Sequence, residues 1–101
     1  MMIAQSLYEG FRMNIKTFKQ FLALAETLNF GRASDECHIS ISAMSRNIRH
    51  LEDELGVALF NRDNRTVVLT QEGLKFLKYA RDTSRQWNLI RHELTDNSDQ
   101  L

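Results

Sequence analysis

Apolar residues recur every three or four positions along most of this chain, the spacing of one face of an α-helix. Over residues 14–28 the apolar set is Phe18, Phe21, Leu22, Ala25 and Leu28, with Asn14 placed to cap the helix. Asn29, Phe30 and Gly31 interrupt it. A short second helix is predicted over about residues 32–37, with Ala33 and Cys37 one turn apart and facing inward. Ser40 can cap a third helix running to Leu55, and Gly56 suits the left-handed conformation past its end. Within that helix Met44, Ile48, Leu51 and Leu55 form the expected buried stripe.

The pattern then changes period. The β-prone runs 57–60 and 66–70 flank a polar turn at Asp63-Asn64 and predict a small hairpin, with Arg62 and Arg65 beside its tip. Thr70 is the expected cap of a long final helix. Along it Phe76, Ala80, Thr83, Trp87, Ile90 and Leu94 repeat at four, three, four, three and four, a heptad-like seam that suits a partner helix. Residues 1–12 lack a pattern and are expected to be a flexible extension ahead of Met13, and residues 96–101 a polar tail. The organisation expected is therefore a folded unit over residues 13–70 and a linker helix over residues 71–95. The fold class is mainly α: three helices plus a two-stranded wing, followed by a long dimerising helix.

Composition narrows the chemistry. At 101 residues and 11.8 kDa there is room for one small domain. Thirteen basic residues cancel thirteen acidic ones, so any affinity for a polyanion must come from local placement of charge. No apolar run approaches bilayer length and the start lacks a secretory pattern, so no membrane partner and a cytoplasmic location are expected. One cysteine, Cys37, excludes an internal disulfide or a multi-cysteine zinc site. Cys37 and His38 are adjacent and point in different directions, and His50 and His92 have no partners at ligand spacing. No nucleophile, base and oxyanion set can be assembled, so neither metal, cofactor nor enzymatic activity is expected.

The third helix carries the positive signal. Opposite its apolar stripe lie Ser42, Ser45, Arg46 and Arg49, while Glu52, Asp53 and Glu54 are confined to its distal end. A helix entering the major groove needs short or cationic side chains on its leading half, because each must approach base edges or phosphates closely. Ser42 and Ser45 are short enough, and Arg46 can reach guanine or a phosphate. Ser40 leaves the helix's free N–H groups available to a phosphate. Arg32, Arg62 and Arg65 would flank the groove. Each has an ordinary alternative: serines favour helix starts, and Arg32 could pair with Asp35 or Glu36.

Several motifs in order now point to a family. PheGlyArgAlaSer at 30–34, HisIleSer at 38–40, SerArgAsnIle at 45–48, LeuGluAspGluLeuGlyValAlaLeuPheAsnArg at 51–62 and LeuThrGlnGluGly at 69–73 resemble the DNA-binding domain and linker helix of LysR-type transcriptional regulators. Residues 62–67 and the helix start containing Ser42 resemble a subgroup serving branched-chain amino-acid biosynthesis. The resemblance implies a winged helix-turn-helix reading double-stranded DNA at an interrupted inverted repeat, as a homodimer paired through antiparallel linker helices. It assigns DNA contacts to Arg32, Ser40, Ile41, Ser42, Ser45, Arg46, Arg49, Arg62 and Arg65, and the dimer seam to Phe76, Ala80, Thr83, Trp87, Ile90 and Leu94. It also implies a following effector-binding domain, which is absent from these residues, so no small-molecule effector is expected to bind them. Two positions depart from the pattern. Ile41-Ser42 stands where many relatives carry Gln-Pro, which replaces an amide by a side chain able to touch a thymine methyl. Cys37 stands where leucine is usual, so looser packing is expected beneath the second helix. A rival reading is a helical dimerisation or adaptor module that binds protein, supported by the zero net charge and the apolar seam.

Overall fold

The computed structural model describes residues 2–63 and 66–96, with side chains from Ile15 onward. Its elements run α1 (Met2–Thr27), α2 (Phe30–Cys37), α3 (Ile41–Leu55), β1 (Phe60–Asp63), β2 (Thr66–Leu69) and α4 (Gln71–Asp96). The expected class, order and hairpin are all present. Asn64 and Arg65, at the expected hairpin tip, lie outside the described residues, as do residues 97–101.

Helix boundaries follow from side chains that replace missing intrahelical partners. Asn29 caps α2 by accepting from the Arg32 amide at 2.9 Å, so that helix starts at Phe30, ahead of the expected residue 32. Ser40 Oγ accepts from the Ala43 amide at 3.1 Å, and Gly56 (φ 74) closes α3 through its amide on the Glu52 carbonyl at 2.8 Å. Thr70 Oγ1 accepts from the Gly73 amide at 2.9 Å to open α4. Between α2 and α3 the turn passes through His38 at φ 57. The Ile39 amide reaches back to the Ser34 carbonyl at 3.0 Å and the His38 amide to the Asp35 carbonyl at 3.2 Å, tying off the end of α2.

Two expectations at α1 are corrected. Its backbone is helical from Met2, so residues 2–12 continue the helix, and Asn14 lies inside it, away from its start. Ile3, Leu7 and Phe11 recur every four residues and lead into Ile15, and Met, Ala, Gln, Leu, Glu and Arg in this stretch favour helix. At the other end Leu28 is 41% exposed and adopts φ 52, so it belongs to the helix terminus and not to the core. Leu24, fully buried, takes the inward place.

The core gathers Phe18, Phe21 and Leu24 of α1, Ala33 of α2, Met44, Ile48 and Leu51 of α3, Leu59 and Phe60 at the wing, and Ala80 of α4. Leu55, expected in the α3 stripe, is 44% exposed because it sits in the final turn beyond the packed layer. Phe21 joins three elements: its ring centroid lies 5.0 Å from Phe76 and 5.3 Å from Phe60. Phe18 meets Phe76 edge-on at 5.6 Å, a geometry favoured by the ring quadrupoles. In the hairpin Phe60 pairs with Leu69 and Arg62 with Val67 across antiparallel strands.

Candidate nucleic-acid interface

The sequence places α3 with one face on the core and the other in solvent, and the structure keeps that division. Ser42, Arg46 and Arg49 are exposed and Ser45 is half-buried. These four line a shallow groove with His50 and Asp53. Ile41 is 57% exposed at the leading end. Ser40 Oγ and Ser42 Oγ are 3.2 Å apart, so two hydroxyls cluster where the helix presents its unpaired N–H groups. Among the described residues, no carboxylate lies within ion-pair distance of Arg32, Arg46 or Arg49. The alternative pairing of Arg32 with Asp35 or Glu36 is therefore not made. From Ile41 to Leu51 the chain carries no acidic residue, so this surface is cationic although the chain is neutral.

Arg62 makes contacts within the domain. Its Nη2 donates to Glu52 Oε1 at 3.0 Å, and its guanidinium carbon lies 5.5 Å from the centre of the Phe30 ring. The two side chains of the ion pair are 24% and 13% exposed. Glu52 also accepts, through Oε2, from the amides of Leu59 at 2.8 Å and Phe60 at 3.1 Å. Arg62 thus packs against the domain through Glu52 and Phe30. Alternation in β1 was the signal that could have shown this: Arg62 is two residues from buried Phe60 and shares its face. Arg65 lies outside the described residues. In the sequence Glu52 stands only as one of three distal charges, because bonds to amides seven and eight residues away leave no periodic trace.

The seam along α4 divides in two. Phe76 is half-buried and Ala80 fully buried against the domain itself, and Thr83 is half-buried. Trp87, Ile90 and Leu94 are 38%, 43% and 70% exposed. Gly73 is fixed by close approach: a Cβ there would stand 2.1 Å from the Leu59 carbonyl oxygen. Cys37 is half-buried in a groove lined also by Phe18, Leu22, Ile39 and Trp87. Burial, followed by the neighbouring Glu36 charge, raises its thiol pKa above the ordinary value. Among the described residues, no group of three or more His, Cys, Asp or Glu could hold a metal ion, and no helix is long and apolar enough to cross a membrane.

An exposed Ser/Arg helix presented between a short helix and a two-stranded wing defines a winged helix-turn-helix DNA-binding domain. Residues 15–74 match the family model of the bacterial regulatory helix-turn-helix proteins, lysR family. The chain belongs to the LysR family. It is similar to the HTH-type transcriptional activator IlvY of Haemophilus influenzae, 43% identical over 89 residues that cover 88% of this chain and 30% of that protein. The IlvY of Salmonella typhimurium matches with the same identity and coverage. The chain thus spans about 30% of the length of these relatives. Among solved structures, the BenM DNA-binding domain in complex with catB site 1 DNA superposes with a TM-score of 0.79 at 30% identity. That match covers 83% of this chain and 93% of the other. Vibrio fischeri DarR in complex with DNA gives 0.78 at 33% identity, covering 84% of this chain and 29% of that one. With these likenesses, the adaptor reading is not favoured.

Proposed function

We propose that the chain is the operator-reading part of a LysR-family transcriptional regulator that works as a homodimer on double-stranded DNA in the bacterial cytoplasm, binding without catalysing. The observation that carries this reading is the exposed leading half of α3, where Ser42, Ser45, Arg46 and Arg49 share a surface with no paired carboxylate. Ile41, Ser42, Ser45 and Arg46 enter the major groove. Ser40, with the free amides it heads, and Arg32 and Arg49 hold phosphates on either side. The names of the IlvY relatives support branched-chain amino-acid biosynthesis as the process controlled.

One such domain reads few base pairs. Two domains held by the distal seam of α4, Trp87, Ile90 and Leu94, would read two half-sites, which is why an interrupted inverted repeat is the expected operator. The test is selection from a random duplex pool, then fluorescence-anisotropy titration of the recovered and a scrambled duplex over a salt series. Recovered sequences sharing an inverted repeat, bound tightly and with steep salt dependence, are expected. Failure to bind any duplex at low salt overturns the reading. Arg46→Ala should cost roughly 1–3 kcal/mol on the recovered duplex and less on the scrambled one. Equal loss on both would reduce Arg46 to a phosphate contact.

A further inference from the structure

We propose that Glu52 and Arg62 are positioning residues for DNA recognition, locking the root of the wing to α2 and α3, and that Arg62 is not itself a phosphate ligand. The inference rests on the DNA-reading function proposed above. It begins with the number of bonds converging on one carboxylate. Glu52 Oε2 takes the amides of Leu59 and Phe60 at 2.8 and 3.1 Å, and Oε1 takes the Arg62 guanidinium at 3.0 Å. A carboxylate has capacity for such a set, and charge-assisted bonds are the strong ones. The same guanidinium lies over the Phe30 ring, at the first turn of α2 and two residues from Arg32. One side-chain pair therefore ties together the far end of α3, the first strand of the wing and the start of α2.

The segment so held is also anchored from its other side. The Thr70 amide donates to the Leu59 carbonyl at 3.0 Å and Thr70 Oγ1 donates to the Ala58 carbonyl at 2.7 Å. Residues 58–60 thus bridge α3, through Glu52, and the start of α4, through Thr70. A reader that uses α3 and a wing together needs the two held at fixed separation, since contacts lose value when displaced by about 0.5 Å. The charge of Glu52 offers a sharp sign test. A carboxylate near a polyanion weakens binding by simple electrostatics, so its removal should tighten binding unless the group is needed for geometry.

The experiment uses the chain with Glu52→Gln, Arg62→Met, Arg62→Lys and the double variant E52Q/R62M, each shown folded at the assay temperature by denaturant titration. Gln keeps an acceptor for the two amides and turns an NH2 group toward the guanidinium. Met keeps a stem without charge, and Lys keeps charge without the planar fork. Affinity is measured for the recovered duplex and for a scrambled one across salt. We expect E52Q and R62M each to weaken the recovered duplex roughly ten-fold, and the scrambled duplex less. The salt slope should stay unchanged, the double variant should fall no further than the singles, and R62K should not restore affinity.

A phosphate role gives the opposite pattern. R62M would lower the slope by about one unit on both duplexes, R62K would retain binding, and E52Q would bind as tightly as the parent or tighter. That pattern, or unchanged affinity in folded variants, overturns the proposal. If the parent chain binds no duplex, the DNA reading fails and the positioning role falls with it. Amide exchange at Leu59 and Phe60, faster in Glu52→Ala, then still reports on the lock itself.

Discussion

The first and last stretches of α4 carry one apolar spacing and meet different surroundings. In the first, Phe76 packs on Phe18 and Phe21, Ala80 is fully buried, and Gly73 touches the Leu59 backbone. In the last, exposure climbs from Trp87 through Ile90 to Leu94. A heptad repeat states that a face is apolar and does not state which body covers it. Here the domain's own α1 covers the proximal part and leaves the distal part exposed.

The largest expected effect sits in the proximal stretch. Gly73→Ala would put a methyl 2.1 Å from the Leu59 carbonyl oxygen, a backbone atom held by the Thr70 amide. Relief requires moving the helix or the wing root, so unfolding in urea should show a loss of about 3 kcal/mol. An unchanged midpoint would mean that α4 does not sit this close to the wing. Phe76→Ala comes next. Its ring is half-buried and shared between Phe18, Phe21 and Tyr79, and its loss should lower stability by about 2 kcal/mol.

The distal stretch should answer in the other direction. Ile90→Ser and Leu94→Ser change exposed positions and should leave unfolding of the monomer within about 0.5 kcal/mol. Sedimentation should nonetheless show the dimer lost at concentrations where the parent associates, with weaker binding to the recovered duplex. If these variants destabilise the monomer as Phe76→Ala does, the two halves of the seam are one surface and the comparison fails.

The same contrast explains what was legible in the sequence. Ser40, Gly56 and Thr70 mark helix ends through local chemistry, so α3 and α4 begin or end where their caps predict. The exposed face of α3 was equally plain, because helical period assigns Met44, Ile48 and Leu51 to the core and leaves Ser42, Arg46 and Arg49 outside. Relations between elements were not plain. Nothing in spacing tells Phe76 that Phe21 waits beneath it, or Leu55 that the packed layer has ended. Glu52 and Arg62 looked like a distal charge and a tip arginine, yet their mutual bond spans ten positions. The helical backbone of residues 2–12 is legible after all in the four-residue spacing of Ile3, Leu7 and Phe11, which leads into Ile15 and Phe18.

The smallest expected effect marks the boundary between the two stretches. Cys37 ends α2 in the groove that Trp87 lines, and burial, with Glu36 beside it, raises its pKa. The neutral thiol is thus favoured in the folded chain relative to the unfolded one, whose thiol ionises near about pH 8.5. The sign follows directly: the folded state binds more protons above that pH, so stability is full below it and declines as pH rises toward the folded pKa. Alkylation by iodoacetamide should accordingly be slower than for a free thiol at the same pH, because the thiolate is the nucleophile. Trp87→Ala should speed it modestly by opening the groove, while Leu94→Ser, farther along the helix, should not. Equal rates in all three chains would place Trp87 away from Cys37 and move the boundary toward Ala80.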